Sequence, residues 1–354
     1  MTRFITCCAF LTWGLALSVT SAQPSSSNHG LTAIEGVKVG HHTLSERPTG
    51  CTVVLTEAGA VAAVDVRGSS PGTREIALLD PTNTVQQVHA IVLSGGSAFG
   101  LATADGVMRY LAEREIGYPT RAANVPIVPA AILYDLGIGD DPSIYPTADC
   151  GYRAAQAASR DPVAEGSVGA GTGATVGKLG GPGRAMKGGI GTAVIELSNG
   201  VRVAALMAVN ALGDVVDPER GTVIAGVRTA DGRGLADARA LLLRVPFDID
   251  DRNAQNTTIG VVATNATLDK AQLTLVARMA HDGLARAIRP AHTPSDGDAI
   301  FAIATGSVTG DVSLFRIGAL AADATAEAIV RAVRTATGLP GYPSVGDLLE
   351  GGVR

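Results

Sequence analysis

The segment 166–191 is extremely rich in glycine, and the whole chain holds 44 of them. Glycine has no Cβ, so it lets backbone approach backbone or lines a pocket with N–H groups. Aromatic residues make up only 4% of the chain, and alanine is plentiful. Such a core has to pack backbones closely and fill its space with Ala, Val, Leu and Ile. Hydrophobic residues at 46% and charged residues at 17% exclude a disordered or coiled-coil chain. With 28 Lys and Arg against 33 Asp and Glu, the net charge of −5 argues against a nucleic-acid binder with a basic face. At 354 residues the chain can bury a sizeable core in one large domain or two ordinary ones.

The first residues read as a processing signal. Arg3 gives a positive start, Phe10 to Val19 is a mostly apolar run, and Thr20-Ser21-Ala22 offers small residues before Gln23. The pattern predicts a signal peptide over 1–22 and an exported, periplasmic or secreted product. The apolar run is short for a membrane span, and no later segment is an uninterrupted apolar stretch of spanning length, so the mature chain is expected to have no membrane partner. Residues 23–30 read as a polar linker and 31–354 as one folded domain. Cys7 and Cys8 fall in the signal. Cys51 and Cys150 remain, and their pairing and two separate buried thiols both stay open. There is no C-x-x-C or H-E-x-x-H motif, and neighbouring His41 and His42 point apart on an extended chain, so no metal is expected.

Val-rich runs predict strands at Thr52–Thr56, Val61–Val66 and Val88–Leu93. A turn, Ser94-Gly95-Gly96-Ser97, leads into a helix with Leu101, Ala104, Met108 and Leu111 on one face. Residues 117–150 are proline-rich and read as irregular. Strands Ile190–Leu197 and Val201–Val209 flank a hairpin signal, Ser198-Asn199-Gly200. A helical piece lies around Leu235–Leu243. The polar stretch 248–256 runs abruptly into a strand at Thr257. An amphipathic helix over 269–288 carries Leu273, Val276, Ala277, Ala280, Leu284 and Ile288. A strand at Ala299–Ala304 and a helix at Ala321–Thr335 complete the chain. The mixture predicts an α/β fold of layered sheets with helices outside.

Three motifs invite chemistry. Gly166 to Lys178 suggests a phosphate loop but fails in detail, because Thr172 stands at the first glycine position and Leu179 follows the lysine. The turn Ser94-Gly95-Gly96-Ser97 resembles a nucleophile elbow only loosely, and reads as a tight turn whose N–H groups cap the helix or bind an anion, bordering the substrate pocket. At Asn256-Thr257, a hydroxyl at a strand start could attack the preceding carbonyl in an N-to-O acyl shift. Hydrolysis of that ester would leave Thr257 as a new N-terminus. Its α-amine, with an ordinary pKa of about 7.7–8.0, could then serve as base for its own hydroxyl.

Several segments together resemble the self-cleaving DmpA-type aminopeptidases, which include L-aminopeptidase/D-esterases and β-aminopeptidases. They are Asp65-Val-Arg-Gly-Ser-Ser-Pro-Gly-Thr-Arg-Glu75, Leu93-Ser-Gly-Gly-Ser-Ala-Phe-Gly-Leu101 with Asp105-Gly106-Val107, Gly166–Gly173, Lys187-Gly-Gly-Ile-Gly-Thr192, Asn256-Thr-Thr-Ile-Gly-Val-Val-Ala-Thr264 and His292-Thr-Pro-Ser-Asp-Gly-Asp298. The resemblance spans nearly the whole mature chain. It implies a single-domain α-β-β-α sandwich, N-terminal-nucleophile-like but with distinct connectivity, and a precursor cut between Asn256 and Thr257. Counted from Gln23, the cut gives chains of 234 and 98 residues. The family implies that these stay associated and assemble further.

The resemblance makes Thr257 the nucleophile. It makes Asn210 an amide that stabilises the oxyanion, although structurally it could be a strand-end turn residue. Tyr134 becomes a pocket tyrosine, where a half-buried aromatic would be the plainer role. Asp296 and Asp298 match a place where relatives carry a hydroxyl and a carboxylate; Asp-Gly-Asp replaces Ser-x-Glu, and Ser295 is the alternative hydroxyl. A carboxylate there would hold a substrate amine or the Thr257 ammonium. Gly95, Gly96 and Ser97 are expected to line the pocket. The resulting reading is an autoprocessed aminopeptidase or amidase acting on small peptides, amides or esters without a cofactor. An acyltransferase of the ornithine acetyltransferase type and a non-catalytic small-anion binder are the alternatives.

Overall fold

The computed structural model describes residues 29–243, 256–309 and 313–351. The expected signal peptide, most of the linker and the polar stretch just before Asn256 lie outside the described residues. Nine strands share one hydrogen-bonded network. They are β1 (Lys38–Thr43), β2 (Gly50–Val66), β3 (Thr73–Arg74), β4 (Gln87–Ser94), β5 (Ala130–Ile132), β6 (Gly189–Glu196), β7 (Arg202–Asn210), β8 (Thr257–Ala266) and β9 (Ala299–Val308). Their spatial order is β6-β7-β8-β9-β2-β4-β5-β3, with β1 alongside β2. The pairs β8–β9 and β4–β5 are parallel and the rest antiparallel. The long helices are α1 (Thr103–Ala112), α2 (Ala148–Gln156), α3 (Lys270–Ala287) and α4 (Leu314–Arg334).

β2 folds this network into two layers. Its first part, Gly50 to Leu55, pairs with β1 and β4, and its last part, Val61 to Val66, pairs with β9. Between them the β2–β4 register shifts, and Gly59 takes φ +85°, which costs a glycine nothing. The two strands read from the sequence at Thr52–Thr56 and Val61–Val66 are therefore one bent strand.

Side chains alternate across each strand, so each layer has two apolar faces. Ala204, Leu206 and Ala208 of β7 join Ile259 and Val261 of β8, Phe301 of β9, Val54 of β2 and Leu93 of β4 in one core. Residues of both layers meet there, which makes it the interior between two facing sheets. Val203, Ala205, Met207 and Val209 of β7 point the other way, onto Leu273, Val276 and Leu284 of α3 and Ile317 and Ile329 of α4. Cys51, Val53 and Leu55 of β2 face α1 and α2 through Val107, Leu111 and Ala154. Helices, sheet, sheet, helices is the expected sandwich, with the correction that β2 makes the two sheets continuous.

Local signals explain the helix bounds. Asp269 and Gln272 form a capping box at the start of α3, and the expected stripe from Leu273 to Ile288 is buried. Ser313 caps α4, which begins seven residues before the expected Ala321. The region 117–150, expected to be irregular, contains β5 and the first residues of α2. Cys51 on β2 and Cys150 on α2 are joined in a disulfide. Among the described residues no helix is long and apolar enough to cross a membrane.

Candidate active site

Thr257 opens β8, a strand buried along its whole length between β7 and β9. Its hydroxyl donates to the carbonyl oxygen of Asn256. The same oxygen accepts the Gly297 backbone N–H at 2.9 Å, and the Asn256 N–H reaches the Ser295 carbonyl at 3.4 Å. A threonine hydroxyl thus lies against the carbonyl group that precedes it. An N–H points at the oxygen on which charge develops in an attack on that carbonyl. Gly297 has no room for a side chain: a Cβ there would stand 2.6 Å from the Ser70 carbonyl oxygen and 2.8 Å from Thr257 Oγ1.

Asp296 and Asp298 lie in the loop that feeds β9, and both are buried. Asp298 Oδ1 accepts the Thr258 N–H at 2.7 Å, while its Oδ2 lies 2.8 Å from Nδ1 of His292. Asp296 Oδ2 accepts the Thr293 N–H at 2.7 Å. Burial, then the neighbouring Asp298 charge, pushes the Asp296 carboxyl up to about 6, with Thr293 and Lys178 pulling the other way. The alternative hydroxyl, Ser295 Oγ, faces Thr293 Oγ1 at 3.2 Å.

Asn210 ends β7 directly across the ladder from Thr257. Its Oδ1 accepts from Lys178 Nζ at 2.7 Å and from the Thr175 N–H at 3.0 Å. Its Nδ2 donates to the Tyr134 backbone carbonyl at 2.9 Å. One hydrogen of the amide is therefore engaged by that carbonyl. Tyr134 is half-buried and meets Asn210 through its backbone. The Gly95-Gly96-Ser97 turn backs this segment: the Gly96 N–H donates to Asp135 Oδ1 at 2.8 Å, and the Ser97 N–H to the Leu133 carbonyl at 3.0 Å.

Sequence reasoning missed Lys178, which it treated only as the end of a failed phosphate loop. Its Nζ also donates to the Asn210 carbonyl at 3.0 Å. Burial of the ammonium lowers its pKa to about 7, against the opposing pull of Asp296 and Asp135. Part of its stem stays exposed. The local signal was Gly177, which takes φ +72° and packs so tightly on Gly226 that a Cβ would stand 2.0 Å from its carbonyl carbon. That turn aims Lys178 inward.

The profile of peptidase family S58 matches residues 29–345. An uncharacterized aminopeptidase of Mycobacterium leprae is 45% identical, over 94% of this chain and 97% of its own. A 6-aminohexanoate-oligomer endohydrolase of a Kocuria species is 32% identical, over 84% of each chain. Among solved structures, a Burkholderia β-aminopeptidase superposes with a TM-score of 0.64 at 25% identity, over 91% of this chain and 92% of its own. The L-aminopeptidase D-Ala-esterase/amidase of Ochrobactrum anthropi, described as a variant of the Ntn hydrolase fold, does so at 0.67 with 20% identity, over the same shares. With a profile match across nearly all of the described residues and a relative of 45% identity over 94% of the chain, this hydrolase belongs to peptidase family S58.

Proposed function

We propose that the chain is a self-processing, threonine-type aminopeptidase and amidase that first cuts its own Asn256–Thr257 bond. The observation that carries this reading is the Thr257 hydroxyl seated on the Asn256 carbonyl, with the Gly297 N–H on that carbonyl's oxygen. In the first step Thr257 Oγ1 bonds to the Asn256 carbonyl carbon and the C–N bond breaks. The hydroxyl proton ends on the departing nitrogen. Within the precursor that nitrogen is an amide and cannot act as base; we assign that role to the Lys178 amine, which sits on Asn210 directly across from Thr257 and which burial brings to about 7. Water then hydrolyses the ester, releasing the Asn256 carboxylate and leaving Thr257 with a free hydroxyl and a free α-amine.

In turnover the α-amine, ordinarily titrating at about 7.7–8.0, accepts the proton from its own hydroxyl. The hydroxyl acylates on a substrate carbonyl, the leaving amine or alcohol departs with the proton, and water releases the acid. The second Asn210 amide hydrogen steadies the oxyanion, and the Asp296–Asp298 pair attracts an ammonium. The aminopeptidase and oligomer-hydrolase names of the relatives support small peptides, amides or esters as substrates. The cut chains remain together and assemble into larger oligomers. The apolar start of the sequence and the disulfide support an exported enzyme.

Intact mass and N-terminal sequencing test the reading. Active wild-type protein is expected to give a second chain that begins Thr-Thr-Ile-Gly. Thr257→Ala is expected to give a single uncut, inactive chain, and a fully processed Thr257→Ala protein would overturn the mechanism.

A further inference from the structure

We infer that Asp135, clamped by Arg47, is a positioning residue of the reacting centre: it fixes the side-chain amide of Asn210 and, through that amide, the Lys178 amine. The inference deepens the self-cleavage reading and rests on it.

Arg47 and Asp135 are 3% and 1% exposed, and their charged groups meet at 3.0 Å. Every group of the pair is engaged. Arg47 Nε donates to the Ile144 carbonyl at 2.6 Å, and Nη1 to the carbonyls of Asp135 at 2.5 Å and Ile138 at 2.9 Å. The Asp135 carboxylate accepts the Thr49 hydroxyl at 2.6 Å on Oδ2 and the Gly96 N–H at 2.8 Å on Oδ1. Gly95 and Gly173 come so close that a Cβ on either would lie 2.2 Å and 2.6 Å from Asp135 Oδ2. A buried ion pair is a poor stabiliser compared with well-packed apolar side chains. What this one does is hold the backbone around residue 135 in a single position.

That backbone carries the Tyr134 carbonyl, which takes the Asn210 Nδ2 hydrogen. An asparagine amide has two orientations that exchange its oxygen and nitrogen. With an acceptor on one side, and the Thr175 N–H and Lys178 Nζ on the other, one orientation satisfies all three groups. If the Tyr134 carbonyl withdraws, the amide is free to turn, and Lys178 loses the shorter of its two contacts to Asn210, keeping only the backbone carbonyl. Asp135 also acts by charge. It faces Lys178 together with Asp296, and both hold the proton on the amine. It faces Lys187 as well, whose ammonium is buried among the carbonyls of Gly171, Ala174 and Gly188.

The test follows self-cleavage of the full-length precursor, made by cell-free synthesis, as a function of pH. The wild-type rate is expected to rise through about pH 7 as Lys178 loses its proton. The neutral pair Arg47→Gln/Asp135→Asn is expected to lower the plateau rate by about tenfold to a hundredfold. It should also move the midpoint to lower pH by roughly half a unit, less than the one to three units of a directly contacting charge. Thr49→Val loosens the carboxylate but keeps its charge, so the plateau falls and the midpoint stays. It serves as the deciding variant if the neutral pair fails to fold. A folded neutral pair, or Thr49→Val, that cleaves with the wild-type plateau overturns the inference. Lys178→Met separates the two readings: cleavage at the wild-type rate there overturns the base assignment itself, whereas a failure confined to the Asp135 and Thr49 variants overturns only the positioning role.

Discussion

Gly297 contributes its N–H to the Asn256 carbonyl and leaves the space in which Thr257 Oγ1 sits. Adding a methyl group there would press on the Thr257 hydroxyl at 2.8 Å and on the Ser70 backbone at 2.6 Å, and only the side chain could give way. Gly297→Ala is therefore expected to slow self-cleavage by about 10²–10³-fold, the scale of losing one oxyanion donor. Persistence of the uncut band on a denaturing gel measures it, and processing at an undiminished rate would show that the space Gly297 leaves beside Thr257 plays no part. At this scale the sequence was legible where chemistry and local pattern coincide. Thr257 follows a polar run and heads an apolar strand, and the Asp-Gly-Asp turn stands just before another strand. Asn210 was legible through family resemblance. Lys178, Arg47 and Asp135 were not, because their meaning depends on contacts made across dozens of residues. Nothing local distinguishes a lysine whose amine meets Asn210 from a lysine in solvent.

Helices α3 and α4 show how far glycine density reaches into the elements. A Cβ on Gly283 of α3 would stand 1.9 Å from the Ala322 carbonyl oxygen of α4, so the two helix backbones touch there. The three atoms nearest a Cβ on Gly318 of α4 would all belong to the Met279 side chain, with Sδ at 2.2 Å. Methionine is unbranched and repacks easily. Gly283→Ala must push the helices apart and is expected to cost about 1–3 kcal/mol. Gly318→Ala gains about 1 kcal/mol of helix propensity, which offsets the shift of Met279, and is expected to be near neutral. Urea unfolding of the two variants checks this, and equal effects would mean that backbone contact is not what the glycine serves. The same contrast explains what could be read of the elements. The capping box and apolar stripe of α3 are local, and both were visible. The bend in β2 was not, because it is defined by three different pairing partners, β1, β4 and β9.

Over the whole molecule, the position of β8 decides what self-cleavage can do. The strand that would begin a second chain after the proposed cut lies between β7, which precedes the cut, and β9, which follows it, and β9 in turn pairs with β2, which precedes it. Helices α3 and α4 cover β7 as well as β8 and β9. Cutting at Asn256–Thr257 therefore breaks one covalent link in a sheet whose hydrogen bonds and core cross the cut repeatedly. Removing the second chain would strip the middle from the sheet and expose apolar faces on both sides of it, a loss close to global unfolding. The disulfide would not hold the two products together, since Cys51 and Cys150 both precede the proposed cut. Processed protein is thus expected to elute as one species in native buffer, with or without reductant. It should give two bands on a denaturing gel, again regardless of reductant. The chains should part only at the denaturant concentration where the sheet itself unfolds. Release of the second chain in native buffer would mean that β8 is held less centrally than its pairing on both edges requires.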